Sequence, residues 1–247
     1  MLSLLSYCLK LSVSLGLVSL FYYVVLRKLT FHNWNRFYLL GYSLLSFLVA
    51  FIDVSPVLYH NKWGDKAFVQ WIPVLTNSDL PRATPPDPTF TVSNVLGFLL
   101  MLGIAIMSLR LLFQLLSFIR LKRKAELISV DGMKFYQVND SIIPFSFGNS
   151  VFLNRNLHSE QELKEIVRHE FVHVKQKHSI DILCGELLCL VNWYNPFAWL
   201  LKASIRQNLE FIADNQVLEN GVDKREYQYM SSTRPACLAS PDRLTGS

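Results

Sequence analysis

Residues 167–178, "VRHEFVHVKQKH", hold three of the six histidines in the chain, and His169 and His173 bracket a glutamate in the pattern H-E-x-x-H. The stretch lies in a predicted helix, because Ser159 and Glu162 have the spacing of a capping box and apolar residues then recur at helical intervals. Positions four residues apart share one face of a helix, so both imidazoles can turn toward one point. The stretch therefore predicts two metal ligands in the middle of a helix.

Glu170 gives this pair a chemical role. Two histidine nitrogens can bind Zn²⁺ at about 2.0–2.1 Å, and Glu170, next to the first ligand, can contact the attacking water instead of the metal. It would take a proton from that water and pass it to a leaving amine, as general base and then general acid. The alternative is that His169 and His173 are ordinary polar residues on a solvated helix face. The neighbouring charges of Arg168 and Lys175 keep that alternative open.

A third ligand is predicted downstream, in "RQNLEFIADNQVL" at 206–218. Catalytic zinc takes three protein ligands and leaves a fourth position open. Glu210 is predicted to complete the site for one Zn²⁺, and Asp214, four residues later, to orient a ligating histidine. The alternative of two solvated carboxylates is weakened by the apolar residues around them. Arg206 and Asn208 are proposed only as guesses for the residue that stabilises an oxyanion.

His178 is interpreted as a capping or packing residue and not as a ligand. On a continuous helix it lies about 140° from His173 and about 180° from His169, so it cannot share their ion unless the helix ends first.

Residues 182–201, "ILCGELLCLVNWYNPFAWLL", contain one charge, Glu186, and resemble a membrane span. A straight crossing would place Glu210 on the opposite side of the membrane from His169, and one ion could not bind both. Asn195-Pro196 interrupts the run, and the first half reaches only about 20 Å, short of a bilayer core of about 30 Å. The segment is therefore predicted to form an out-and-back helical hairpin.

The first half of the chain has the composition of a membrane domain. The 247 residues are 51% hydrophobic and 17% charged, against about 25% charged in soluble domains. Residues 1–124 are predicted to form a three-span domain, with an outer loop at 55–93 and spans at 4–26, 37–54 and 94–119. Basic residues cluster in loop 27–36 and in "RLKRK" at 120–124, so both face the cytoplasm and the N-terminus faces outward. Because the basic residues cluster beside apolar segments, they favour a bilayer surface as the partner of this chain and not nucleic acid.

Residues 125–230 are predicted to form a cytoplasmic-side domain with a small α+β character. Asp131-Gly132 between two β-type runs predicts a hairpin, and another strand is predicted near 150–153. The tail 231–247 is predicted to be irregular. The fold class is thus a mainly α multi-pass membrane protein with a small α+β zinc peptidase domain; that this domain is of the gluzincin type is what the family resemblance described next implies.

Four segments resemble the BlaR/MecR-type membrane zinc metallopeptidases, which are regulatory antirepressor or sensor proteases of bacteria: "PFSFGNSVFLNRNL", "HEFVHVKQKHSIDIL", "NWYNPFAWLL" and "IRQNLEFIADNQVL". The resemblance covers roughly residues 120–230. It implies His169, His173 and Glu210 as zinc ligands, Glu170 as general base, and a bacterial inner-membrane location. It also implies that the strand near 150–153 pairs with substrate backbone.

The resulting hypothesis is a membrane-embedded zinc endopeptidase that cuts a cytoplasmic, repressor-like regulator or itself. The tail contains no further apolar run, so sensing is expected to fall to the outer loop or to a partner protein, unless the product is shortened. Two alternatives remain: a non-catalytic membrane signalling protein, and a quality-control protease of the HtpX kind. The substrate and oligomeric state, including a homo-oligomer, are left open.

Overall fold

The computed structural model describes residues 2–52, 92–130 and 133–219, so most of the predicted outer loop and the whole tail 231–247 lie outside the described residues. The described chain is mostly helical with one small sheet, which confirms that part of the predicted fold class. The helices are α1 (Leu2–Val24), α2 (His32–Val49), α3 (Val92–Lys124), α4 (Glu160–Lys175), α5 (His178–Val191) and α6 (Pro196–Glu219). The strands are β1 (Glu126–Val130), β2 (Met133–Gln137), β3 (Phe145–Phe147) and β4 (Ser150–Leu153).

Two described helices are long and apolar enough to cross a bilayer, over Leu5–Lys28 and Asn94–Lys124. They coincide with the first and third predicted spans. The described part of the second predicted span, 37–54, lies mainly in α2, and α2 does not meet the same criterion. The reason is its polar content: α2 begins with a polar turn, and it buries Asn35 and Ser43 inside the protein.

Helix α6 occupies the centre of the helical part. It packs against α1, α2, α4 and α5. Its fully covered residues Leu201 and Leu209 belong to one apolar core with Leu15 of α1 and Leu39 of α2. Because α6 also carries Glu210 and Asp214, these two carboxylates extend from a helix that packs against four others.

Helices α5 and α6 form the predicted hairpin. Asn195 begins α6 as its N-cap, since its side-chain Oδ1 accepts a hydrogen bond from the main-chain N–H of Phe197 at 3.0 Å, and Pro196 occupies the first helical position. The two helices run antiparallel. Glu186, the one charge in the apolar run, accepts hydrogen bonds from Lys202 and Arg206 at 2.7 Å each, which explains how it is tolerated there.

The sheet has the strand order β1-β2-β4-β3. Strands β1 and β2 pair antiparallel, as the hairpin prediction requires, although Asp131-Gly132 themselves lie outside the described residues. Strand β4 confirms the strand predicted near 150–153, but it pairs with β2 on one side and β3 on the other. The expectation that this strand pairs with substrate backbone is therefore wrong, because both of its edges are already occupied.

The sheet lies between two helices. Phe152 of β4 and Tyr136 of β2 pack against Phe118 near the end of α3, while Val151 and Leu153 pack against α4 on the opposite face. All four residues of β4 are consequently buried. This double contact fixes α4, and with it the H-E-x-x-H stretch, on the face of the sheet opposite to the end of α3.

Candidate metal centre

Helix α4 begins as the sequence predicts and holds three residues of the motif. Ser159 caps it by accepting from the main-chain N–H of Glu162, and the Glu162 side chain accepts from the main-chain N–H of Ser159 at 2.8 Å. His169 and Glu170 are buried in its second half, and His173 is mostly buried. A buried, ionisable pair on an otherwise packed helix requires partners, so the alternative of two polar residues on a solvated face is not what the structure shows.

His169, His173 and Glu210 bring three ligand atoms together from two helices. Nε2 of His169 lies 3.2 Å from Nε2 of His173 and 3.3 Å from Oε2 of Glu210. The remaining distance, from Nε2 of His173 to the same carboxylate oxygen, is 3.9 Å. Residues of two helices, α4 and α6, that are separated in the sequence by α5 thus converge on one point.

These distances fit a tetrahedral zinc site. Ligands at about 2.0–2.1 Å from a tetrahedral centre lie about 3.3 Å from one another, close to the spacing of these three atoms. Two imidazoles and one carboxylate also form a donor set of a type known for catalytic zinc, with a fourth position for water or substrate. The residues present therefore fit the ion that the sequence predicts.

Asp214 holds the far side of the first histidine. Its Oδ1 lies 3.2 Å from Nδ1 of His169, one turn of α6 beyond Glu210. Burial lowers the pKa of His169, but hydrogen bonds to Asp214 and Glu210 outweigh burial and raise that pKa to about 9. For Glu210, burial raises the pKa, but the hydrogen bond from His169 together with the nearby charges of His173 and His169 lowers it more, so the net pKa is lowered and the carboxylate is anionic at neutral pH.

His178 contacts the second histidine. Its Nδ1 lies 2.8 Å from Nδ1 of His173, while its Nε2 lies 3.1 Å from Oε1 of Gln176. Burial is the largest of the effects that lower the pKa of His178, to about 3, and burial also lowers the pKa of His173. His178 stays outside the ligand set as predicted, but it does more than pack, since it holds the ring nitrogen of His173 that faces away from the three ligand atoms.

The sequence gives only a weak signal for this contact. Helix α4 ends at Lys175, and Lys177 adopts the left-handed conformation with φ of 55° before α5 begins at His178. Glycine or asparagine would have marked such a break, and lysine does not. The two guesses for an oxyanion donor have partners elsewhere: Arg206 donates to Glu186, and Asn208 donates to the main-chain oxygen of His32 at 2.9 Å.

A buried H-E-x-x-H helix whose histidines face a carboxylate on a later helix is an arrangement found in metallopeptidases. Comparison with known proteins agrees, since residues 149–232 match the family described as BlaR1 peptidase M56. "Regulatory protein BlaR1" of Staphylococcus aureus is 29% identical over 120 residues, which is 48% of this chain. "Regulatory protein BlaR1" of Bacillus licheniformis is 34% identical over 73 residues, or 28% of this chain.

These matches confirm the predicted resemblance to BlaR/MecR-type proteins. The aligned parts cover 19% of the Staphylococcus aureus protein and 12% of the Bacillus licheniformis protein. The chain therefore spans a fifth or less of the relatives that it matches. The family segment contains Glu170, Asp214 and the three residues that bring their ligand atoms together.

Proposed function

We propose that this chain is a membrane-anchored zinc endopeptidase that hydrolyses a peptide bond in a cytoplasmic regulatory protein, or in itself, as a step in signal transduction. The observation that carries the proposal is the convergence of three ligand atoms from α4 and α6 at zinc spacing, with a buried glutamate next to the first ligand. The match to a peptidase family supports hydrolysis as the reaction. The name of the relatives, "Regulatory protein", supports a regulatory substrate.

In this proposal His169, His173 and Glu210 hold one Zn²⁺. The ion, when bound, supplies a Lewis acid that polarises the scissile carbonyl and makes a water molecule more acidic. Glu170 then accepts a proton from the attacking water and delivers it to the nitrogen of the departing peptide. Asp214 holds His169 by its Nδ1 atom so that Nε2 points toward the other ligand atoms.

The site belongs, in this proposal, at the cytoplasmic side of a membrane. Helix α3 supports a bilayer location, because only 6% of its most apolar stretch is buried inside the protein and side chains such as Phe98 and Met101 are largely exposed. Its last turn carries Lys122, Arg123 and Lys124, directly before the sheet. A basic cluster at that end favours the cytoplasmic orientation.

Strand β3 is the better candidate for pairing with a substrate backbone. Among the residues that the structure describes, it has a neighbour within the sheet on one side only, and it contacts α4, which carries the H-E-x-x-H stretch. An extended substrate segment could add to this edge by main-chain hydrogen bonds, as in other cases of strand addition.

The decisive experiment compares the wild type with Glu170→Gln in cells and in purified form. We expect both proteins to bind one zinc ion, because the substitution leaves all three ligands in place. Cleavage should fall by about 10²–10⁴-fold in the variant, the usual contribution of general acid–base catalysis. Zinc is measured by elemental analysis, and cleavage by proteomic detection of new protein termini.

Each contrary outcome points to a different alternative. A wild type that binds no zinc at neutral pH contradicts the metal site. Identical termini in wild-type and Glu170→Gln cells would favour the non-catalytic signalling protein. Termini spread over many misfolded membrane proteins, rather than one or two substrates, would favour the quality-control protease.

A further inference from the structure

Three side chains outside the ligand set link helix α2 to the metal centre. The Arg36 guanidinium, on α2, donates to Gln176 twice: to the side-chain Oε1 at 3.4 Å and to the main-chain oxygen at 3.0 Å. The same Oε1 atom lies 3.1 Å from Nε2 of His178. The other ring nitrogen of His178 lies 2.8 Å from Nδ1 of His173. An unbroken chain of contacts therefore leads from α2 to a predicted zinc ligand.

The local backbone holds this chain in place. The left-handed residue Lys177 separates α4 from α5 and lets His178 fold back under the end of α4, where it is 1% exposed. Asp181, one turn further along α5, lies 2.7 Å from Nε of Arg36. Arg36 is thus held by α5 on one side while it donates to Gln176 on the other.

The guanidinium of Arg36 determines which atom donates and which accepts in each contact from Arg36 to His173. A guanidinium is a donor only, so the Gln176 atom opposite it is the carbonyl oxygen, an acceptor. The partner of that oxygen on His178 must then be Nε2–H. A neutral imidazole carries one proton, so Nδ1 of His178 is bare and accepts from Nδ1–H of His173. His173 is left with a bare Nε2, and this is the atom beside the other two ligand atoms.

We propose that Arg36, Gln176 and His178 are positioning residues that fix His173 in the tautomer whose Nε2 is free to bind the metal. The two histidines of the site are then held in the same way by different partners. His169 is oriented by a carboxylate, and His173 by an imidazole that Gln176 and Arg36 orient in turn. The inference rests on the proposed metal site, but its first test needs neither zinc nor cleavage.

The first test is nitrogen NMR on the full-length, metal-free protein labelled with ¹⁵N-histidine. Long-range ¹H–¹⁵N correlations distinguish the two imidazole tautomers, and the signals are assigned with His173→Gln and His178→Gln. We expect the proton of His173 on Nδ1 and the proton of His178 on Nε2. A wild type whose His173 carries its proton mainly on Nε2 would overturn the inference.

The second test replaces Gln176 by glutamate and, separately, by leucine, two side chains of similar volume. Glutamate at this position keeps an acceptor for Arg36 and His178, whereas leucine removes it, so Gln176→Glu should retain the tautomer and Gln176→Leu should lose it. Zinc affinity, measured by competition with a chelator, should be close to wild type in the first and about 10–100-fold weaker in the second. Equal affinities and equal tautomer signals in the two variants would contradict the inference, because a purely structural role does not depend on the acceptor.

Arg27 provides a matched control for the start of the chain of contacts. It lies in the same basic segment as Arg36, is exposed, and stacks over the Tyr23 ring at 4.5 Å. Arg36→Leu should weaken zinc binding as Gln176→Leu does, whereas Arg27→Leu should leave it unchanged. If the wild type binds zinc but His173 carries its proton on Nε2, the inference about the tautomer is overturned and the proposed metal site stands. The expected tautomer without any zinc binding would overturn the metal site instead.

Discussion

At the scale of residues, the site depends on ring orientation as much as on ligand identity. His169 and His173 each use Nε2 toward the cluster and Nδ1 toward a supporting side chain, Asp214 in one case and His178 in the other. Such supporting contacts hold an imidazole in one tautomer and one rotation, which raises its affinity for a metal. The loss of a supporting residue should therefore weaken binding without removing a ligand.

Asp214→Leu tests this at the first histidine. We expect zinc affinity about 10–100-fold below wild type, because Nδ1 of His169 would lose its carboxylate partner. The matched control is Asn215→Leu, which adds the same side chain at the next, exposed position of α6, where Asn215 bonds only with Glu219 among the contacts described. Chelator competition measures both, and equal affinities would show that Asp214 does not support the ligand.

The convergence of the candidate ligand residues could be predicted from the sequence because their spacing encodes a helix face. A four-residue interval puts His169 and His173 on one helix face, and another puts Glu210 and Asp214 on one face. Because catalytic zinc takes three protein ligands, one residue of the second pair is expected to be the third. The support from His178 could not be predicted, because it depends on a left-handed lysine that ends α4 early. Nothing in the residue types around position 177 distinguishes that break from a continuing helix.

At the scale of elements, the hairpin of α5 and α6 is the unit that assembles the site. Its turn also docks helix α3: the Trp193 indole donates to the main-chain oxygen of Leu100 at 3.4 Å, and its ring lies directly against the Cα of Gly103. Only a residue without a Cβ leaves room for that ring. This contact between α3 and the hairpin turn therefore requires glycine at position 103.

Gly103→Val should separate α3 from the hairpin turn. We expect a loss of about 1–3 kcal/mol in the free energy of unfolding, the usual cost of overpacking, because the new side chain would overlap the Trp193 ring. Gly97→Val is the control, since a Cβ at Gly97 meets no atom within 4 Å among the described residues. Denaturation in detergent micelles, followed by tryptophan fluorescence, compares them. Equal stability of the two variants would argue against this docking contact.

The elements were more predictable than their pairing. The hairpin at Asn195-Pro196 follows from local signals, an N-cap and a proline at the first helical position. The central place of β4 does not, because strand order is a long-range property, and the segment 150–153 is equally compatible with an edge or an interior strand. Helix α2 has enough apolar residues to suggest a span, but it buries the polar residues Asn35, Ser43 and Ser46 inside the protein.

At the scale of the whole molecule, the proposed location makes a prediction about topology. In a cysteine-free background, Glu160→Cys on α4 and Lys28→Cys in the first loop should react with an impermeant thiol reagent only after the cells are opened. Lys66→Cys, in the predicted outer loop, should react in intact cells. The reason is the excess of basic residues at 27–36 and 120–124, which are retained on the cytoplasmic side.

Mass-shift labelling of the three cysteine variants measures this, with a sodium carbonate wash to verify that the protein stays in the membrane fraction. Reaction of Glu160→Cys in intact cells would place the candidate site on the outer side, where a cytoplasmic regulator could not be the substrate. Release by carbonate would contradict an integral membrane protein.

The distribution of the ligands over two helices has a mechanical consequence. His173 and Glu210 are separated by thirty-six residues, which include the whole of α5 and the turn that holds α3. An ion bound by both is a removable cross-link that closes a loop of this length, and the entropy of loop closure then counts in favour of the folded state. A chelator would act on such a protein as a reducing agent acts on a disulfide: by removing the ion it would loosen α6 from α4 and leave every covalent bond intact.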